Sequence, residues 1–431
     1  MSTAVLTGIP PAKPYLRSAD AQPGSRDVSR EASSHWDGLL VCAAAYVATA
    51  VGRVHQLFGV LESLHLAMLA SVLAIVLYIV DSSAERRTAL LKGPTATLCM
   101  LLLFWSVLSI PSAIVAGTSF DLVFDNFLKT LLMSFIVAAS VRSVGDIERL
   151  ARVYFGCAVL YTLIVMSRFD LGNGSNWRLG HLYYYDANDF ATFVVTAVPL
   201  GVYFLHTATR AWTRLWAAAG LIVLSAGFVW SGSRGGFIAL AAVVVYIVAR
   251  YKAIPFRWRV TATAIVAAVV LGTASDHYWQ QMETITSDDD YNHTSETGRL
   301  QIWSRGIGYM AANPLLGVGP GNFPAAEGTL SRYAERQQYG IGVRWNAAHN
   351  SFVQIGAELG VPGLTLFVAV IASAFMALRR IPQEQAPITP ALTASLLGFA
   401  VGAFFLSLAY SEMLYTLIAF AVGLRKVTRA T

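Results

Sequence analysis

The sequence predicts an all-α polytopic membrane protein with about twelve transmembrane helices and one large helical loop. Three observations carry this. Hydrophobic residues make up 55% of the 431 and charged residues only 13%, about half the charged share of a soluble domain, which is roughly 25%. Mean hydropathy is +0.55. The chain holds about a dozen apolar runs, most of them near the roughly 20 residues that cross a bilayer as a helix, and none shows the period-2 alternation of a membrane barrel.

In chain order, residues 1–35 are polar and rich in Pro, Ser and Arg. They lack the apolar segment of a signal peptide and read as a disordered tail. Residues 36–275 hold nine spans, near 38–54, 61–80, 95–116, 123–141, 147–167, 187–206, 212–231, 234–250 and 258–275. Residues 276–360 form a long polar loop, and 361–431 hold three more spans, near 361–378, 391–408 and 412–424, then a short tail. Each run is bounded by charge or by Gly and Pro. Cys42, Cys99 and Cys157 all fall within apolar runs, which suits packing and not a disulfide framework or a metal site.

The net charge is +6, but its placement says more than its sum. Twelve spans put both termini on one side. The connections on that side carry 21 of the 31 Lys and Arg residues, and the opposite side carries nine. Basic connections face the cytoplasm, so the termini are cytoplasmic and the 276–360 loop faces out. Charge that marks topology leaves no case for a nucleic-acid partner; the partners of such a surface are membrane lipids. Outward arginines, in contrast, are not required by topology and call for another explanation.

Four outer segments stand out. Before the sixth span, RFDLGNGSNWRLGHLYYYDAND presents Arg178, Tyr184 and Asn188; its tyrosines suit either an interfacial aromatic belt or a platform for sugar rings. Between spans seven and eight, SGSRGG offers glycines that let a ligand approach, amides that start a helix and bind anions, and Arg234. In the long loop, GRLQIWSRGIGYM has helical apolar spacing with Thr297 as a possible N-cap and Arg299 in the first turn, where a cation opposes the helix dipole. NPLLGVGPGNF follows as a tight loop around Gly317, Gly319 and Gly321, then a second amphipathic helix over roughly 324–338 carrying Arg332 and Arg336. The Asp288–Asp290 run lacks ligand spacing and reads as a solvated patch. The loop ends in NAAHNSFVQIGAELGVPG, where a short surface helix over 349–359 leads from His349 to a break at Gly360–Gly363 and the next span.

His349-Asn350, nine residues, then Gly360-x-x-Gly363 resembles the H-[NSQ]-x9-G-x-x-G signature of bacterial O-antigen ligases. The SGSRGGF turn and the GR…W…NPLLGVGPGNF run resemble the same family, over roughly 175–365. The resemblance implies a GT-C-type glycosyltransferase without metal or other cofactor, in the bacterial inner membrane with its site facing the periplasm. The implied donor is an undecaprenyl-diphosphate-linked O-antigen and the acceptor is lipid A–core oligosaccharide. O-antigen polymerases and protein O-oligosaccharyltransferases share the signature. A lipid or polysaccharide transporter is the reading from another class, but charge-poor spans beneath a polar outer loop fit it less well.

On this reading His349, with an ordinary pKa near 6.5, is the general base. Arg178, Arg234 and Arg299 clamp the diphosphate. Tyr184, Asn188 and Asn350 are candidate substrate contacts, and Glu412, in the outer turn AYSEMLY, is a candidate for orienting a sugar hydroxyl.

Overall fold

The computed structural model describes residues 36–81, 83, 86, 92–168, 178, 179, 185–252, 254–257, 259, 260, 263, 264, 267, 270, 274–285, 295, 298–332, 334 and 346–429. Among them every regular element is a helix. In chain order these are α1 (Gly38–Val51), α2 (Gly59–Val80), α3 (Pro94–Ser112), α4 (Ala116–Ser140), α5 (Val144–Arg168), α6 (Ala187–Thr207) and α7 (Ala211–Ser231). Then come α8 (Arg234–Arg250), α9 (Asp276–Glu283), α10 (Arg299–Ala312), α11 (Phe323–Thr329), α12 (Ser351–Arg379), α13 (Thr389–Gly402) and α14 (Glu412–Arg429).

Seven of the described helices, α2 to α7 and α12, are long and apolar enough to cross a membrane, and α1 and α13 are shorter apolar helices. The chain is therefore a polytopic membrane protein. The tail over 1–35 and most of the ninth expected span, 258–275, lie outside the described residues. Burial separates centre from rim. The apolar stretch of α6 is 72% buried and that of α2 only 6%, so α6 is the hub and α2 turns its apolar side chains to lipid. Helix α6 packs on α7, α8 and α13, and α12 packs on α3, α10 and α14.

Several boundaries differ from the sequence reading, among them α13, which ends at Gly402 instead of 408, and three differences shape the loop region. Helix α4 starts at Ala116 instead of 123 and widens into a π turn over Leu122–Phe127. Its early start is fixed by Asn322, whose side chain accepts from Val115 N at 2.9 Å and donates to Ser119 Oγ at 2.7 Å. The second loop helix, expected over 324–338, is seen as α11, ending at Thr329; Arg332 is exposed beyond it and Arg336 lies outside the described residues. The surface helix expected over 349–359 begins at Ser351 and is continuous with the next span, bent at Gly360 with φ 69° and ψ −169°.

That bend has a full hydrogen-bond account. Pro362 has no N–H to offer Glu358, and Val361 N turns to Pro314 O at 2.8 Å. The carbonyls left over are met from outside. Val318 N donates to Ala357 O at 2.9 Å, Gly319 N to Glu358 O at 3.0 Å, and Trp105 Nε1 to Leu359 O at 3.0 Å. The NPLLGVGPG loop thus completes the backbone pairing that the kink opens, as a buried main chain requires. A second small core of Ile302, Tyr309, Val318, Phe323, Ala326, Ala348 and Ala357 joins α10, α11 and the start of α12. Gly306 permits the close approach, since a Cβ there would meet Val353 Cγ1 at 2.4 Å.

Candidate active site

His349 sits in a turn that is pinned on both sides. Its φ is 47°, a left-handed conformation uncommon for a residue other than glycine. Its backbone N–H donates to Ser407 Oγ at 2.9 Å. Ser351 donates from its N to Ala403 O at 2.8 Å and from its Oγ to Leu406 O at 2.7 Å. Asn350 is 2% exposed and caps α12, its Oδ1 accepting from Phe352 N and Val353 N at 2.9 and 3.1 Å. In the signature pair, then, the asparagine starts the helix and the histidine is the residue presented.

Arg178 and Arg234 meet at the α7–α8 turn. Gly232, at φ 56°, ends α7 in the left-handed conformation that glycine accepts at no steric cost. Ser233 then caps α8, accepting from Gly236 N at 3.1 Å. Leu179 N donates to Trp230 O at 3.0 Å, which lays the 178–179 segment along the end of α7. Arg178 donates from Nε to Ser231 O at 2.6 Å and from an Nη to Asn188 Oδ1 at 3.0 Å. Arg234 opens α8 and donates to Thr284 Oγ1, at the end of α9, at 2.6 Å.

Two glycines of this turn, Gly235 and Gly236, serve close packing, while Gly232 lines the same cavity as Arg234 and His349. A Cβ at Gly235 would lie 2.7 Å from Phe405 Cβ, and one at Gly236 would lie 2.7 Å from Ala191 Cβ. They let α8 approach α6 and the turn that follows α13, and the Gly236 amide is taken by Ser233. The charged group that the turn itself contributes is Arg234.

Arg299 is the first residue of α10, whose N-cap is Gly298 without a side-chain cap bond; Thr297 lies outside the described residues. Trp303, one turn on, donates from Nε1 to Ala348 O at 3.1 Å.

These segments enclose one cavity of about 240 Å³ lined by Arg178, Asn188, Gly232, Arg234, Gln281, Arg299 and His349. No Asp or Glu is among the described residues that line it. Burial, then the nearby positive charge of Arg299, hold the His349 pKa below its ordinary 6.5, against an opposing pull from Asp186. The imidazole is neutral at pH 7 and free to accept a proton. Three guanidinium groups around one small space favour a multiply charged anion, and their planar forks suit phosphate oxygens.

Five sequence candidates, His349, Arg178, Arg234, Arg299 and Asn188, thus share one cavity, with Asn188 orienting Arg178. Two described candidates, Asn350 and Glu412, are not among its lining residues. Asn350 caps α12. Glu412 pairs with Arg53 at 3.2 Å and lines a separate cavity that also includes Ala348, Ser407, Asp189, Glu358 and Tyr410. Tyr184 lies outside the described residues, as does Asp288–Asp290. Sequence reasoning missed Gln281, Thr284 and the tie made by Trp303. The polar QQMETIT run was the signal for the first two, but nothing in it indicates that α9 folds back onto the α7–α8 turn.

Residues 219–368 match the family model described as O-antigen ligase. The matched stretch contains Arg234, Gln281, Arg299 and His349 and stops short of α13. No curated protein matches the chain.

Proposed function

We propose that this chain, which carries an O-antigen ligase family domain over residues 219–368, transfers a polysaccharide from undecaprenyl diphosphate to lipid A–core oligosaccharide at the periplasmic face of the inner membrane. It does so as a twelve-span, metal-independent enzyme of GT-C type. The observation that carries the reading is the shared cavity, in which one imidazole stands beside three guanidinium groups with no Asp or Glu among the described residues that line it.

In the proposed reaction an acceptor hydroxyl attacks the anomeric carbon of the donor sugar. Its proton passes to the His349 imidazole as the new C–O bond forms. The bond from the anomeric carbon to the diphosphate oxygen breaks, and the electron pair leaves with that oxygen. Arg178, Arg234 and Arg299 stabilise the released charge, the role metal ions take in other phosphate sites. Attack opposite the leaving group inverts the anomeric configuration.

The test is transfer in vitro with purified full-length protein, an undecaprenyl-diphosphate-linked oligosaccharide and lipid A–core, with and without chelator. Glycosylated lipid A–core in both conditions supports the reading. Extension of the lipid-linked sugar, or glycosylation of an added pilin-like protein while lipid A–core stays unmodified, assigns the polymerase or the oligosaccharyltransferase reaction instead. Movement of donor across a vesicle membrane without a new glycosidic bond assigns a transporter.

A further inference from the structure

At the far end of α12 from His349, a second cavity of about 410 Å³ opens between the start of α3 and the ends of α12 and α14. Five basic residues line it, Lys92, Arg380, Arg425, Lys426 and Arg429, and no Asp or Glu is among the described residues that do so. Its walls are apolar, from Ala96, Met376, Ala377 and Val422. We infer that this cavity binds the headgroup of an anionic phospholipid, with the phosphate among the basic side chains and the acyl chains along the apolar wall.

Three observations set this cavity apart from the general basic surface of that end. The neighbouring arginines are matched by carboxylates: Arg86 pairs with Asp37 and Asp81, Arg142 with Asp37 and Asp146, and Arg149 with Asp146. In the cavity Arg425 turns instead to a main-chain oxygen, Arg380 O at 2.9 Å, and Lys426 donates to Ala139 O at 3.0 Å. A carbonyl orients the Arg425 side chain without neutralising it. The first turn of α3, Pro94 to Ala96, also lines the cavity and adds the positive end of a helix dipole. Finally, three separate helices contribute, so the charge converges on a concave space and does not simply decorate one connection. Basic hollows between transmembrane helices hold lipid headgroups by this combination of charge and apolar contact.

The experiment is a titration of the full-length protein in detergent with phosphatidylglycerol, with phosphatidylcholine and with inorganic phosphate, followed by native mass spectrometry. Wild type should bind phosphatidylglycerol at least tenfold tighter than phosphatidylcholine. The R425Q/K426Q variant should lose about 30-fold of that affinity, as two charges near a phosphate imply. R210Q/R214Q, on an exposed connection of the same sign, should lose little. Where R425Q/K426Q does not fold, K92Q/R429Q, at two exposed positions of the cavity mouth, takes its place. Equal losses in the cavity and control variants, equal affinity for the two lipids, or inorganic phosphate binding as tightly as phosphatidylglycerol would each overturn the inference.

Discussion

Trp303 Nε1 donates to the carbonyl oxygen of Ala348 at 3.1 Å. This one bond ties the helix that begins at Arg299 to the residue preceding His349. The proposed base, His349, and the proposed clamp residue Arg299 are thus tied together by a residue that is not among those lining the cavity. Trp303→Phe keeps the ring and removes the donor. Transfer should fall about tenfold, in line with the cost of small misplacements of reacting groups, while thermal unfolding changes by only about 1 kcal/mol. An unchanged transfer rate would show that the tie does not position the site.

The pH profile follows from the direction of the His349 shift. The proposed transfer needs the neutral imidazole, and burial, then the charge of Arg299, hold the His349 pKa below its ordinary 6.5. The rate should therefore be flat from about pH 7 upward and fall only as the pH drops through that lowered value. Arg299 is one of the two causes of the lowering, so Arg299→Gln should move the pKa back toward 6.5. The check is an NMR titration of the His349 ring, assigned by difference from His349→Ala. A pKa that stays put, or moves further down, contradicts the assignment.

Gly360 is required by its backbone. Its φ of 69° and ψ of −169° fall in a region that is essentially glycine's alone. A Cβ there would also lie 2.5 Å from both Pro314 O and Leu315 O. Gly360→Ala should cost about 2 kcal/mol or more. Gly308→Ala, on α10 with nothing within 4 Å of the added carbon, should be neutral or stabilising by up to about 1 kcal/mol. Unfolding monitored by intrinsic fluorescence in detergent compares the two; similar behaviour would remove the special status of the bend.

Arg305 and Glu327 hold α10 to α11 through a buried pair, with Nε–O at 2.8 Å, and Tyr309 also donates to Glu327 at 2.7 Å. Glu327 is fully buried. Arg305→Met leaves that carboxylate without its cation and should cost about 3–5 kcal/mol, most of which R305M/E327L should restore. The double variant unfolding as early as the single would contradict this account of the loop's stability.

Much of this was legible in the chain. Span positions are written in uninterrupted apolar runs, and His349, Arg178, Arg234, Arg299 and Asn188 could be named because lone polar groups stand out beside a membrane-spanning sequence. What sequence could not supply was partnership across long separations. Asn350 and Glu412 look as available as His349 in one dimension, yet one is consumed by capping α12 and the other by Arg53, 359 positions away. The glycines of the SGSRGG turn carry the same lesson: their letters do not distinguish room for a ligand from room for Phe405 and Ala191.

The most direct measurement is single-turnover transfer by His349→Ala at saturating donor, with the donor Kd determined in parallel. Loss of about 10²–10⁴-fold in rate, with donor affinity kept within about threefold, is the expected result. It would separate the imidazole that takes the proton from the guanidinium groups that hold the diphosphate. Transfer at near-native rate would contradict the account at its centre.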